Sequence, residues 1–288
     1  MSLLTEIKQN YIYSNLAVRR IITINVLIFI VVSLVRVFFA LFQVSLTTQD
    51  FVHIFTLPAY LPDLIKRPWS LITYMFLHDG VLHLIFNMLW LYWMGNLLHE
   101  YLGNKRVYQA YFLGGIFGGL VYILAYNIFP LFATVKVVAF ALGASAGVLS
   151  VTVAVATLLP DYEVKLLLFG FVRLKWIALV IVVLDLLGIS GGNAGGHIAH
   201  LGGAAFGFMF IRYLYKHTFF EGMFDRLSGI FKKKSRLKVH YKTTYMKTEN
   251  EKKPSEQEID LILDKINKSG YDSLSKLEKE QLFKASKD

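Results

Sequence analysis

The sequence contains no cysteine, and only 17% of its 288 residues are charged. Without thiols there can be no disulfide, thiolate metal site or cysteine nucleophile, so any nucleophile must be an oxygen. The low charged fraction and the 55% of hydrophobic residues lie far outside the composition of an ordinary soluble domain. The first apolar run, from Ile21, is too long for a secretory signal and lacks a small-residue cleavage site. We therefore expect a protein that resides in a lipid bilayer.

The formal net charge of +10 does not indicate a nucleic-acid-binding surface, because the basic residues flank the apolar segments. Residues 1–215 carry 13 Lys and Arg against 8 Asp and Glu, and residues 216–288 carry 17 against 12. Basic residues beside membrane spans mark the cytoplasmic side and attract anionic lipids. We expect contact with membrane lipids and no nucleic-acid partner.

Six apolar segments are candidates for membrane spans, each of which needs about 20 mostly apolar residues. The segments are 21–42, 82–98, 108–129, 142–159, 174–189 and 198–215. They predict an all-α membrane protein with six transmembrane helices. Several are short or contain polar residues, as expected where helices line a wet cavity.

Basic residues are concentrated on one side of the predicted spans. They lie in the N-terminal tail, the second-to-third and fourth-to-fifth connections and the C-terminal tail. The positive-inside rule therefore predicts that both termini are cytoplasmic. We expect a cytoplasmic N-terminal tail, a six-helix domain, a basic juxtamembrane linker and a cytoplasmic helical hairpin, at residues 1–20, 21–215, 216–254 and 255–288.

Two segments outside the spans have their own patterns. Residues 43–80 are too polar to cross a membrane and too apolar for a free loop, which predicts an amphipathic element in the outer interface. Residues 255–288 predict two helices, the first ending at Ser269-Gly270 and the second starting with a capping box of Ser275 and Glu278.

The pentapeptide GASAG, with Ser145 at its centre, fits the G-x-S-x-G pattern of serine hydrolases at the start of the fourth span. Its glycines permit close helix packing, and a helix N-terminus favours the negative charge that develops on a substrate carbonyl. Small residues with one serine are also common at helix interfaces that only pack. Ser145 is thus a candidate nucleophile, with packing as the alternative.

His200 in the last span shares one helical face with Gly203 and Gly207. Such a face is a groove in which another helix backbone, and a serine on it, can come very near. An imidazole in that position could abstract a proton from the serine, or it could simply bond a backbone carbonyl. His197, one turn earlier, competes for the role but has no glycine groove in register, so His200 is the preferred base.

Two further polar positions lie within the spans. His83 and Asn87 share one face of the second span, where their N–H groups could stabilise the oxyanion of an acyl transfer or could join helices. Asp185 is an acid deep in the fifth span. It could orient a histidine, but we expect a structural or protonated role.

Three separated motifs resemble the rhomboid protease family, in the matching order. They are WSLITYMFLHDGVLHLIFN at 69–87, GASAG around Ser145 and AHLGGAAFG around His200. The resemblance covers about residues 15–215. It implies a bacterial-type intramembrane serine endopeptidase of the inner (plasma) membrane, with six helices around a water-filled cavity open to the extracytoplasmic side.

The resemblance also implies the role of each residue. Ser145 would be the nucleophile and His200 the base, without an acidic third member. The Ser145 amide, His83 and Asn87 would form the oxyanion hole. Substrates would be single-pass or polytopic membrane proteins cut in their transmembrane segments, and neither a cofactor nor a metal ion is implied.

Three positions depart from the family pattern. Ser70 follows the loop tryptophan where the family usually has arginine, which could loosen that loop. Leu149 stands one turn after the candidate nucleophile, where a tyrosine often stacks on the histidine, so we expect the histidine to be held less firmly. Ala146-Gly147 follows the serine where the family has glycine directly.

Two other functions fit parts of the pattern. A non-catalytic rhomboid-like protein that binds membrane clients is one, although members of that kind typically lack the serine or the histidine. The other is a metal site or ion pathway built from His83, His197, His200 and Asp185. No H-E-x-x-H pattern accompanies these residues.

Overall fold

The computed structural model describes residues 16–43, 52–166, 170–214 and 255–285. The chain divides into two compact units, Met1–Lys232 and Lys233–Asp288. The predicted basic linker at 216–254 and most of the predicted N-terminal tail lie outside the described residues.

The first unit is mainly helical. Its helices are α1 (Ala17–Leu41), α2 (Leu61–Lys66), α3 (Ser70–Thr73), α4 (Val81–Ile128), α5 (Ser145–Leu158), α6 (Leu174–Gly188) and α7 (Ala194–Leu214). Two antiparallel strand pairs accompany them: β1 (Leu57–Pro58) with β2 (Phe140–Ala141), and β3 (Glu163–Leu166) with β4 (Gly170–Arg173). The prediction of a helical protein is therefore right, but it missed two small sheets. The first sheet joins two segments that are far apart in the sequence, and the second joins two neighbouring segments.

Three helices in the described part of the chain are long and apolar enough to cross a membrane. They are α1, α4 and the stretch Ala194–Tyr213 of α7. Helices α5 and α6 are apolar but shorter, with 14 and 15 residues. Large apolar side chains on α1 and α6 point outward, for example Leu34 and Leu187, which are 63% and 67% exposed. Such surfaces are stable only against lipid or another apolar partner.

Helix α4 corrects the predicted boundaries of the second and third spans. We expected a loop between 82–98 and 108–129, but the two helices extend toward each other until only Gly103 between them is non-helical, with φ +74° and ψ 175°. A left-handed residue of this kind ends one helix, and glycine adopts it without steric cost. Asn104 follows, and its side-chain oxygen accepts a hydrogen bond from the Ala17 N–H at 2.7 Å. The connection is thus a sharp turn that also caps α1.

Helix α5 lies at the centre of the first unit, between α4 and α7. Every residue from Ala146 to Ala156 is buried. Two buried polar side chains on it have hydrogen-bond partners: Ser150 Oγ donates to the Ala110 carbonyl at 2.8 Å, and Trp90 Nε1 donates to Thr152 Oγ1 at 2.8 Å. Buried hydroxyls without such partners would destabilise the bundle.

The second unit contains α8 (Glu256–Ser269) and α9 (Lys276–Ala285). At the start of α9, the Ser275 N–H donates to Glu278 Oε2 at 2.7 Å and the Glu278 N–H donates to Ser275 Oγ at 3.3 Å. These bonds confirm the predicted capping box. Lys265 Nζ on α8 donates to Glu278 Oε1 at 2.8 Å, so the same carboxylate joins the two helices.

Candidate active site

Ser145 is the first residue of α5 and is half-buried. A backbone N–H in the first helical turn has no acceptor within its own helix. No described residue accepts a hydrogen bond from this N–H or exchanges one with the hydroxyl. Both groups of Ser145 are therefore available to a ligand at the positive end of the helix.

Gly143 creates the space in front of this serine. Its φ of +128° favours glycine, and its N–H donates to the Tyr74 carbonyl at 2.9 Å. A Cβ placed on Gly143 would lie 3.3 Å from His83 Nε2 and 3.4 Å from Ser145 Oγ. The His83 imidazole and the Ser145 hydroxyl thus border the same small volume, so the two polar motifs lie close together in space.

The glycine groove on α7 receives the backbone of α5. A Cβ on Gly203 would lie 2.1 Å from the Ala146 carbonyl oxygen, and one on Gly207 would lie 2.2 Å from the Ser150 carbonyl oxygen. Distances this short leave no room for a side chain, so the two helices touch backbone to backbone. The expectation that the His200 face of the last span contacts the serine helix is confirmed.

The two histidines of α7 point to the same carboxylate. His197 Nδ1 and His200 Nδ1 each lie 2.8 Å from Asp185 Oδ1, and Asp185 is only 6% exposed. We expected Asp185 to have a structural or protonated role, with orientation of a histidine as the alternative, and the structure shows contacts to two histidines. Sequence offered one usable signal: an acid deep in an apolar helix requires polar partners, and α7 supplies the two histidines nearest to it along the chain.

His197 and His200 differ in what their second nitrogen faces. A Cβ on Gly188 would lie 2.5 Å from His197 Nε2, so that nitrogen packs against the end of α6. His200 lies one turn closer to the Gly203 groove, beside the helix that carries Ser145. Among the hydrogen bonds of the described residues, none joins Ser145 Oγ to His200. Such bonds are often long without substrate and tighten when it binds.

Asn87 and His78 surround His83. Asn87 is buried, and its Nδ2 donates to the His83 carbonyl at 2.9 Å, which leaves its second N–H for another acceptor. His78 was not singled out by the sequence. It is 4% exposed and its ring lies edge-on to the His83 ring at 5.1 Å between centroids. Burial, and to a smaller extent His83, lowers the pKa of His78 to about 4.

Three of the four residues proposed for a metal site come together. The ligand atoms of Asp185, His197 and His200 lie within 4.8 Å of one another, and His83 is not among them. One carboxylate and two imidazoles are a ligand set that suits zinc. Both imidazole Nδ1 atoms, however, already lie at hydrogen-bond distance from the carboxylate. The two imidazoles are therefore placed to donate N–H hydrogen bonds to the carboxylate.

The segment before α4 is anchored independently of Ser70. Three side chains donate to three successive carbonyls: Arg67 to His53 at 2.5 Å, Trp69 to Ile54 at 3.0 Å and Thr73 to Phe55 at 2.8 Å. Ser70 itself is buried, and its N–H donates to the Arg67 carbonyl at 2.9 Å. An arginine two residues before the tryptophan therefore contributes to the anchoring that position 70 lacks.

Comparison with known proteins assigns this part of the chain to a family. A family model described as the Rhomboid domain matches residues 66–217, which is more than half of the chain and contains α4 to α7 with Ser145, His200, His83, Asn87 and Asp185. The chain belongs to the rhomboid family. This rhomboid is an integral membrane protein, as its family and its apolar helices indicate.

Presenilin-associated rhomboid-like protein A, mitochondrial, of Danio rerio is similar to this rhomboid. The two are 29% identical over 141 residues, which make up 48% of this chain and 35% of that protein. The rhomboid thus matches about a third of its relative's length. A second model, described as a family of unknown function (DUF6576), matches residues 243–288 and includes α8 and α9.

Proposed function

We propose that this rhomboid is a serine endopeptidase that cleaves membrane proteins within the membrane. Ser145 is the nucleophile and His200 is the general base. The Ser145 amide, His83 and Asn87 form the oxyanion hole. The observation that carries the proposal is the volume in front of Gly143, which both the Ser145 hydroxyl and the His83 imidazole border.

The reaction begins when a substrate carbonyl occupies that volume. His200 Nε2 takes the proton of the Ser145 hydroxyl while its oxygen attacks the carbonyl carbon. Negative charge then develops on the carbonyl oxygen, where the Ser145 N–H at the helix N-terminus and the His83 and Asn87 N–H groups stabilise it. His200 returns its proton to the leaving amine, and water hydrolyses the acyl-enzyme by the same steps.

The substrates are single-pass or polytopic membrane proteins. Peptide bonds inside a helix are hydrogen-bonded and shielded, so the scissile bond lies in a locally unwound portion with small or helix-breaking residues. We further propose that the protein has six spans, with α4 contributing two of them. Its regions are the N-terminal tail (1–20), the six-helix domain (21–215), the basic linker (216–254) and the helical hairpin (255–288). Both termini and the α8–α9 hairpin lie in the cytoplasm of a bacterial cell.

A fluorophosphonate probe tests the proposal, because it forms a covalent bond only with an activated serine. We expect the purified full-length protein in detergent to be labelled, and Ser145→Ala and His200→Ala to lose the label. Ser190→Ala is the matched control, because Ser190 is an exposed serine whose hydroxyl donates to the Leu187 carbonyl. It should be labelled like the wild type.

Two results would count against the proposal. If Ser145→Ala is still labelled, another residue is the nucleophile. If the folded wild type is not labelled and His200→Ala changes nothing, binding of membrane clients without cleavage becomes the better account.

A further inference from the structure

Asp185 provides the only hydrogen-bond partner that the described residues give to the His200 ring. The carboxylate is buried on α6, and its Oδ1 lies 2.8 Å from His200 Nδ1. Its second oxygen, Oδ2, is buried without a hydrogen-bond partner among the described residues. A buried carboxylate is costly unless donors reach it, so both histidine N–H groups are needed where they are.

We propose that Asp185 is a positioning residue that fixes the orientation and the tautomer of His200, so that this rhomboid works with a Ser145–His200–Asp185 arrangement. The inference rests on the proposed function. In this arrangement the protonated Nδ1 of His200 donates a hydrogen bond to the carboxylate. The lone pair is therefore left on Nε2, which is the nitrogen that must take the serine proton. Without the carboxylate, either nitrogen can carry the proton and the ring can rotate.

Leu149 makes such an acid useful. It lies one turn after Ser145, it is buried, and its aliphatic side chain offers the imidazole no hydrogen bond. The hydrogen bond that orients the His200 ring must then come from another residue. Asp185 on α6 meets this requirement, and the buried position of the carboxylate keeps water from competing for the bond.

His197 shares the carboxylate but cannot replace His200. Both imidazoles reach the same oxygen, yet His197 Nε2 packs against Gly188 at the end of α6. The carboxylate therefore orients two rings, and only the ring beside the Gly203 groove faces the helix of Ser145. We regard His197 as a second donor that helps to hold the Asp185 carboxylate in place.

The test compares Asp185→Asn and Asp185→Glu in the full-length protein. Fluorophosphonate labelling is measured over a range of probe concentrations, which separates the maximal rate from probe affinity. We expect Asp185→Asn to lower the maximal rate by about 10²- to 10⁴-fold with little change in probe affinity, and Asp185→Glu to recover part of it. Asp161→Asn, an exposed acid paired with Lys175, is the matched control and should keep the wild-type rate.

A second readout does not depend on activity. Nitrogen-15 NMR of histidine distinguishes a protonated Nδ1 from a protonated Nε2. We expect His200 of the wild type, assigned by comparison with His200→Ala, to have its proton on Nδ1, and Asp185→Asn to shift the proton toward Nε2. Thermal unfolding shows whether each variant is folded. If Asp185→Asn does not fold, the same measurements are made on Asp185→Glu.

The outcomes separate the two proposals. A rate within threefold of wild type in Asp185→Asn, with an unchanged tautomer, would overturn the positioning role. A tautomer that depends on Asp185 in a wild type that is never labelled would uphold the positioning role and reject the protease. Loss of wild-type labelling on treatment with EDTA would overturn the positioning role in favour of a metal ion held by Asp185, His197 and His200.

Discussion

Gly203 lies against Ala146 so closely that a methyl group added to it would sit 2.1 Å from the Ala146 carbonyl oxygen. This contact determines how near α7, with His200, approaches the residue that follows Ser145. Because a backbone atom cannot move aside like a flexible side chain, a larger residue at position 203 must push the helices apart. The separation of the proposed base from the proposed nucleophile therefore depends on one missing methyl group.

We predict that Gly203→Ala destabilises the protein and nearly abolishes labelling. Forcing extra atoms into a packed core costs about 1–3 kcal/mol, and a displacement near 1 Å at reacting groups can cost about 10²-fold in rate. Thermal unfolding and the fluorophosphonate rate measure the two effects. Gly192→Ala is the control, because a Cβ there would meet nothing within 4 Å. Equal rates for the two variants would contradict the prediction.

The proposed oxyanion hole predicts losses of rate without loss of the nucleophile. His83→Ala and Asn87→Ala should each lower the maximal labelling rate by about 10²-fold, the effect expected from removing one donor to a developing oxyanion. Asn96→Ala is a matched control, since Asn96 Nδ2 donates to the Tyr92 carbonyl at 2.7 Å just as Asn87 Nδ2 donates to His83. If Asn96→Ala loses as much rate as Asn87→Ala, the effect lies in the helix and not in the site.

His78 predicts that the fold weakens in mild acid. Its pKa of about 4 in the folded protein is below the ordinary 6.5, so the unfolded chain takes up a proton that the folded chain resists. The contribution of neutral His78 to the free energy of unfolding is fully present above pH 6.5. It is lost as the pH is lowered toward 4, by on the order of 3 kcal/mol. Thermal unfolding between pH 7.5 and 4.5 measures the loss.

His78→Phe should remove most of this sensitivity. Neither ring nitrogen of His78 has a hydrogen-bond partner among the described residues, so a phenyl ring of similar size can take its place. An acid response in His78→Phe that equals that of the wild type would assign the effect to another group.

The hydrogen bonds before α4 predict local protection. Thr73→Val removes the bond to the Phe55 carbonyl, which is worth about 0.5–1.5 kcal/mol. We expect amide hydrogen exchange in residues 52–58 to become several-fold faster, measured by mass spectrometry. Ile72→Val changes an exposed neighbour and should leave exchange unaltered. Unchanged exchange in Thr73→Val would mean that the remaining bonds of Arg67 and Trp69 suffice.

The sequence predicts contacts that follow from helical periodicity. The register of His200, Gly203 and Gly207 can be read along one helix, and it correctly indicated close packing against the serine helix. The Asp185 contacts could not be read in this way, because they depend on how α6 docks beside α7. The extension of the two helices of α4 up to Gly103 on either side was missed for another reason: the charged residues near this turn favour a loop by polarity, but they also have good helix propensity.

The length of helix α5 has a consequence for where the proposed protease would cut its substrate. Its 14 residues extend for about 21 Å, whereas the hydrocarbon core of a bilayer is about 30 Å thick. When its Leu158 end is level with one edge of that core, Ser145 lies about 9 Å inside the opposite edge. A peptide bond at that depth is about three extended residues from the headgroups. The length of one short helix would thus select the scissile bond by its depth, before any side chain of the substrate is recognised.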